Sequence, residues 1–266
     1  MENSCPNCNH SIIENFCSNC GQKKFKRIDK KYVVDELQYT LLHTNKGFFY
    51  SLKKLIKNPG KTAKEYIDGN RVNHYKPILL VFLLSGISAF ISYKVLGFAE
   101  IINNFNAKKY GNSQFLADLM SFTSNYTAIL MLLMVPIFAI TTKISFRKWG
   151  NNYYEHIVMN CYILAIYTIT SMFIVYPIMY FLKDNPDKFL AISQIPFLIV
   201  PFVLVWFFRG FYVEKPIKSI VLRSLSSFGI FALGYLGIII VGSILLVVYA
   251  MIYDPELIKY MQPPNK

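Results

Sequence analysis

Charge is what this chain has least of. Only 16% of its 266 residues are Asp, Glu, Lys or Arg, against roughly 25% in soluble domains. The shortage is concentrated in five long segments without one charged side chain, which excludes a water-soluble surface along those segments. Those segments also lack histidine. Intramembrane carboxylates and imidazoles mark proton- and sodium-coupled pathways, so that class of transporter is not expected. No H-E-x-x-H and no G-x-S-x-G occurs, which removes the common zinc-protease and serine-hydrolase signatures. Residues 1–31 hold no apolar h-region, so a secretory signal is not expected.

What is present follows from the same map. The uncharged runs, the first extended past a snorkelling Lys94, predict five membrane spans near 77–98, 119–142, 157–182, 189–208 and 224–253; each reaches the ~20 residues that a helix needs to cross a bilayer, and the last is longer than the bilayer requires. Proline interrupts three of them, at Pro136, at Pro177 and at the Pro196/Pro201 pair. Buried helices tolerate such breaks when neighbours satisfy the freed backbone groups.

Basic residues orient the spans. The segments 143–156 and 209–223 carry Lys143, Arg147, Lys148, Arg209, Lys215, Lys218 and Arg223. They fall on the same side as the N-terminal segment, where residues 1–76 hold 14 basic and 7 acidic side chains. The positive-inside rule predicts a cytoplasmic N-terminus and a short outside tail over 254–266.

Four of the five cysteines stand at the start, as Cys5-x-x-Cys8 and Cys17-x-x-Cys20-Gly21. Each C-x-x-C turn lets two thiolates converge on one ion, and two turns complete a tetrahedral shell. A closed four-thiolate shell points to a structural zinc ribbon over 1–22. An iron–sulfur centre, a redox dithiol or two disulfides are the alternatives. A reducing cytoplasm favours the metal reading. His10, inside the gap, is read as surface, and Cys161 as packing.

Residues 23–76 predict basic juxtamembrane helices. A helix over 30–43 would carry Val33, Leu37 and Leu41 on one face. In 47–57, Phe48, Phe49, Leu52, Leu55 and Ile56 form an apolar stripe, with Lys53, Lys54 and Lys57 mainly off it. Such a helix suits the headgroup region, and the expectation is a membrane-surface collar. Asn58-Pro59-Gly60 is read as its end, and a short helix is predicted over 62–68. The basic charge is accounted for by anionic lipid, so nucleic acid is not an expected partner.

One further pair draws attention. Glu155-His156 opens the third span after Tyr153-Tyr154. Adjacent helical residues point about 100° apart, so the pair is no dyad by itself, whereas His156 and Asn160 share a face. The two readings are a capped helix start and a membrane enzyme using Glu155 and His156.

These signals in this order resemble a group of uncharacterised bacterial membrane proteins catalogued as domain of unknown function 3667. The matching residues are Cys5, Cys8, Cys17, Cys20, Gly21 and Gln22; Pro59-Gly60; Glu65-Tyr66-Ile67-Asp68-Gly69-Asn70-Arg71; Tyr75-Lys76-Pro77; and Glu155-His156-Ile157-Val158. Asn9 departs from the pattern by standing where a glycine is usual. The resemblance implies an architecture and positions of unassigned role: Pro59, Gly60, Tyr66, Gly69, Arg71, Tyr75, Pro77, Glu155 and His156. It implies no activity.

The expectation is therefore an all-α polytopic protein of the bacterial inner membrane, a five-helix transmembrane bundle with a small N-terminal zinc ribbon. The ribbon would bind or position a cytoplasmic protein partner, and the collar would contact membrane lipids. A transporter, channel or lipid-handling protein is the alternative.

Overall fold

The computed structural model describes residues 4–5, 7–11, 13–21, 47–71, 74–110 and 114–253. The helix expected over 30–43 and the tail 254–266 lie outside the described residues. The chain divides into two compact units, Met1–Asn45 and Lys46–Lys266.

In the first unit, an antiparallel bridge joins Ser4 to Ser11 and closes a short loop around Cys5 and Cys8. Among its described residues there is no helix.

The described part of the second unit is helical and contains no strand. Two short helices lead in, α1 (Gly47–Lys57) and α2 (Pro59–Ile67). Asn58 does not simply end α1. It caps α2 by accepting a hydrogen bond from the Lys61 amide, and Pro59 occupies the first turn, where its missing N–H leaves no bond unmade. Pro77 opens α3 (Pro77–Phe90) in the same way.

The helix α3 runs on through a π turn (Ile91–Val95) and stops before Gly97, which takes the left-handed φ of +67°. Next come α4 (Phe98–Tyr110) and α5 (Gln114–Phe146), the latter tightening into a 3-10 turn (Arg147–Trp149). The third long element is α6 (Tyr153–Thr170), a π turn (Ser171–Val175) and α7 (Tyr176–Phe181). Pro177 explains that π turn: it has no N–H for the carbonyl four residues back, and its ring crowds that oxygen. The fourth is α8 (Pro186–Ser193) and α9 (Ile195–Phe211), broken at Gln194 just before Pro196. The last is α10 (Ile217–Tyr253).

Five helical stretches are long and apolar enough to cross a membrane: Pro77–Val95, Ala117–Trp149, Tyr153–Phe181, Pro186–Phe211 and Ile217–Tyr249. The protein has the all-α architecture of a polytopic membrane protein. Helices α3, α5 and α6 pack against one another, and α9 and α10 complete the bundle. The α6 element is the most enclosed, whereas α10 beyond Phe231 turns its apolar side chains outward, as a lipid-facing helix does.

One helix was not anticipated. α4 lies in what the charge map reads as a plain outside loop. Phe98, Ile101, Ile102 and Phe105 recur at helical spacing. Phe98 and Ile101 pack on a core of Leu96, Val175, Met179 and Phe189, which closes that end of the bundle.

Candidate metal centre and polar sites

The N-terminal unit contains two copies of one local structure. In the first, the Asn9 amide donates to the Cys5 carbonyl at 2.9 Å; in the second, the Gly21 amide donates to the Cys17 carbonyl at 2.9 Å. The residue closing each turn has positive φ, +57° at Asn9 and +72° at Gly21. Asparagine tolerates that region better than most residues with a Cβ, so Asn9 does what glycine does in the second turn.

The two turns bring the four thiols together. The sulfurs of Cys5 and Cys20 are 3.5 Å apart, those of Cys8 and Cys17 3.6 Å, and those of Cys8 and Cys20 3.4 Å. All four lie within 4.8 Å of one another, and none is in a disulfide. A tetrahedral ion with metal–sulfur bonds of about 2.3 Å requires sulfurs roughly 3.8 Å apart, so the donor set fits a single four-coordinate metal. Cys5 and Cys17 are buried while Cys20 is exposed. Burial pushes the Cys5 thiol up to about 11; a metal ion at the centre would act the other way and hold thiolates. His10 is exposed, and Cys161 is buried on α6 of the second unit.

In the second unit, α2 is docked rather than laid on a surface. It packs on α9 and α6, burying Pro59, Gly60, Thr62 and Ala63. The reason for Gly60 is direct. A Cβ there would stand 2.0 Å from the Phe207 carbonyl oxygen and 2.4 Å from the Phe211 amide nitrogen. Gly210 is its counterpart, where a Cβ would meet the Asn58 side chain at 2.2 Å. Two glycines thus let the backbones of α2 and α9 touch. Phe207, Phe208 and Phe211 are buried beside them; Phe146 stacks on Phe208, and Trp149 meets Tyr212 edge-on. The Arg223 guanidinium lies over Trp149 and also donates to the Ser145 carbonyl.

Around α1 the apolar stripe divides. Leu55 is fully buried and Phe48 meets Tyr75 edge-on, while Phe49 is 80% exposed and Ile56 about half so. Lys53 and Lys57 are exposed, and Lys54 lies 3.8 Å from Glu65. Ser51 accepts a hydrogen bond from the Tyr75 amide, which fixes the lead-in to α3.

Sequence reasoning missed His74. It is 1% exposed, its ring faces those of Tyr50 and Tyr66, and Nε2 is 3.4 Å from a Glu65 oxygen. That contact has ion-pair distance without hydrogen-bond geometry. Burial pulls the His74 pKa below its ordinary value, and nearby Glu65 opposes the shift only in part. The Arg71 side chain covers Tyr66 and donates to its carbonyl, while Tyr66 in turn meets Tyr162 of α6. Of the unassigned positions, Tyr66, Arg71 and Tyr75 therefore gather around His74 and α1. Gly69 is exposed with φ +107°, terminating the turn after α2. Only the pairing of Glu65 with a histidine so near in sequence could have signalled this cluster.

Glu155 and His156 have separate tasks. Glu155 and Asn152 form a reciprocal cap on α6: the Asn152 side chain accepts from the Glu155 amide, and the Glu155 carboxylate accepts from the Asn152 amide, both at 2.9 Å. The Asn151 side chain donates to the same carboxylate. His156 points into the bundle. The Thr142 hydroxyl donates to the Phe138 carbonyl and accepts from Asn160 at 2.8 Å. It therefore accepts from His156 Nδ1 as well, at 3.1 Å. The result is an interhelical knot rather than an acid–base pair, with His156 Nε2 buried and unpartnered.

Residues 45–89 match the family model described as Protein of unknown function (DUF3667). The family resemblance is borne out over this segment. It comprises α1, the Gly60 contact, the His74 cluster and most of α3, so the matched segment is the part that docks on the bundle and enters it. Comparison with curated proteins and with solved structures gives no match.

Proposed function

We propose that this protein is a bacterial inner-membrane scaffold that presents a structural zinc ribbon on the cytoplasmic side for a protein partner. The observation that carries the proposal is the convergence of four sulfurs through two equivalent turns. A unit this short buries too little apolar surface to fold alone, so metal binding would supply its folding energy. All four ligand positions are taken by the protein, which leaves no open position for substrate and suits a structural role. Zinc fits best, because soft thiolates in tetrahedral array favour it in a reducing compartment.

The basic segments at 143–156 and 209–223 support a cytoplasmic N-terminus and an outside C-terminus. Phe49 and Ile56, exposed beside Lys53 and Lys57, suit contact with lipid headgroups next to the first span. With Glu155 engaged in capping and His156 in the Thr142 knot, the polar groups of α6 support structure rather than an enzymatic site.

The test begins with protein purified from membranes under reducing conditions. Roughly one zinc per chain is expected; metal-free protein would sink the zinc reading. Affinity capture with intact and ribbon-deleted chains then checks the scaffold role, which requires a protein that is retained only by the intact chain.

A further inference from the structure

Two adjoining cavities lie inside the bundle. One, of about 350 Å³, lies between α5, α6, α9 and α10, near the lower end of the roughly 300–1,000 Å³ range of ligand sites. Its wall is mainly apolar, including Met134, Phe138, Ile163, Leu164, Leu204 and Phe228. The polar groups at its α2 end already have partners: Asn160 and Thr142 bond each other, and Thr141 bonds Ser227.

The second cavity, of about 170 Å³, is lined by hydroxyls of Ser85 and Ser88 on α3, Thr127 on α5, Thr168 on α6, Tyr176 on α7, and Ser92 and Ser171 in the two π turns. Both π turns contribute, through Ser92 and Ser171, and such turns often sit at functional sites. Ser88 and Tyr176 are paired at 2.8 Å. Ser85 is 2% exposed and its hydroxyl has no partner. A buried hydroxyl left unpaired is costly, so this one points to a ligand. Met131, Tyr167 and Phe197 belong to both walls, so the cavities adjoin. Neither wall carries a charged side chain.

We propose that the bundle holds a neutral, single-tailed amphiphile, with an alcohol or carbonyl headgroup among the α3 and α6 hydroxyls and its hydrocarbon tail in the apolar cavity. Hydroxyls donate and accept, which suits an uncharged oxygen headgroup. A phosphate or carboxylate would be buried there without a counter-charge, at large cost. The apolar cavity lies among the membrane-spanning helices, where hydrocarbon chains are the abundant solute.

The test uses the full-length protein in zwitterionic vesicles with a monoacylglycerol carrying a diazirine in its tail. Labelling should map to peptides containing Met131 or Leu204, and unlabelled monoacylglycerol should compete far better than lysophosphatidic acid. Leu204→Trp should reduce labelling several-fold, and Ser85→Ala should weaken competition, while Leu233→Trp on the outward face of α10 should change nothing. Should Leu204→Trp fail to fold, Leu164→Phe replaces it. Labelling confined to the outer face of α10, or equal competition by the anionic amphiphile, would overturn the proposal. So would an unlabelled cavity, as a second copy seated there would leave it.

Discussion

Among the described residues between 4 and 21 the buried hydrophobic side chains are Cys5 and Cys17, two of the four metal-ligand candidates. On α2, by contrast, Pro59, Gly60, Thr62 and Ala63 are buried against α9 and α6 with no ligand involved. Both are short pieces that precede the first span in the chain, and neither has the length to be stable alone. They are made stable by opposite means. On the proposed reading, the first gathers thiols and depends on an ion. The second uses glycine to bring backbone to backbone and depends on a neighbouring helix. A change in one should therefore leave the other standing, and that separability can be tested.

The largest effect is expected from Cys17→Ser combined with Cys20→Ser. Metal binding in small thiolate sites is worth about 10–16 kcal/mol of apparent free energy, far more than such a unit can replace. Zinc content should fall to background and residues 4–21 should become protease-sensitive, while the thermal melting of the membrane body stays the same. Next is Gly60→Ala. The new methyl meets backbone atoms, which cannot rotate away, so a destabilisation of about 1–3 kcal/mol or more is expected. The reading is the melting temperature in detergent, with zinc content unchanged. Gly210→Ala should cost less, because the atom it meets is the end of a side chain, although the Asn58 cap is disturbed.

A smaller effect is expected from Asn152→Ala. It removes half of the reciprocal cap and should cost about 1 kcal/mol, again read by melting. The mildest perturbation is pH. His74 is held neutral by burial among Tyr50, Tyr66, Glu65 and Lys54, so its folded pKa is depressed. The stability tied to the neutral ring is fully present above the ordinary histidine value of about 6.5 and is lost as pH falls toward the folded value. Melting temperature should therefore drop on acidification below that point, and His74→Gln should flatten the drop. An unchanged slope in the variant would remove His74 from the account.

Much of this was legible in the chain. Uncharged runs locate the spans because a bilayer tolerates little else, and the C-x-x-C spacing locates the thiols because two residues are what a turn around an ion needs. The pattern Pro59-Gly60 was visible, but its reason was not: Gly60 answers to Phe207 and Phe211, about 150 residues away, and no local rule names such a partner. The same holds for Ser88 with Tyr176 and for the Thr142 knot with His156 and Asn160. Asn9 looked like a departure because the family pattern usually has glycine there, yet its backbone takes the required φ. The α4 stripe at Phe98, Ile101, Ile102 and Phe105 was readable in principle, and a few lysines nearby masked it as loop.

The central claim is that one unit is made by its metal and the other by its packing. Amide hydrogen exchange on the full chain, before and after chelation under reducing conditions, tests it most directly. The account predicts that residues 4–21 lose protection on chelation while α2, α6 and α9 keep theirs. Protection of residues 4–21 that survives complete removal of metal would contradict it.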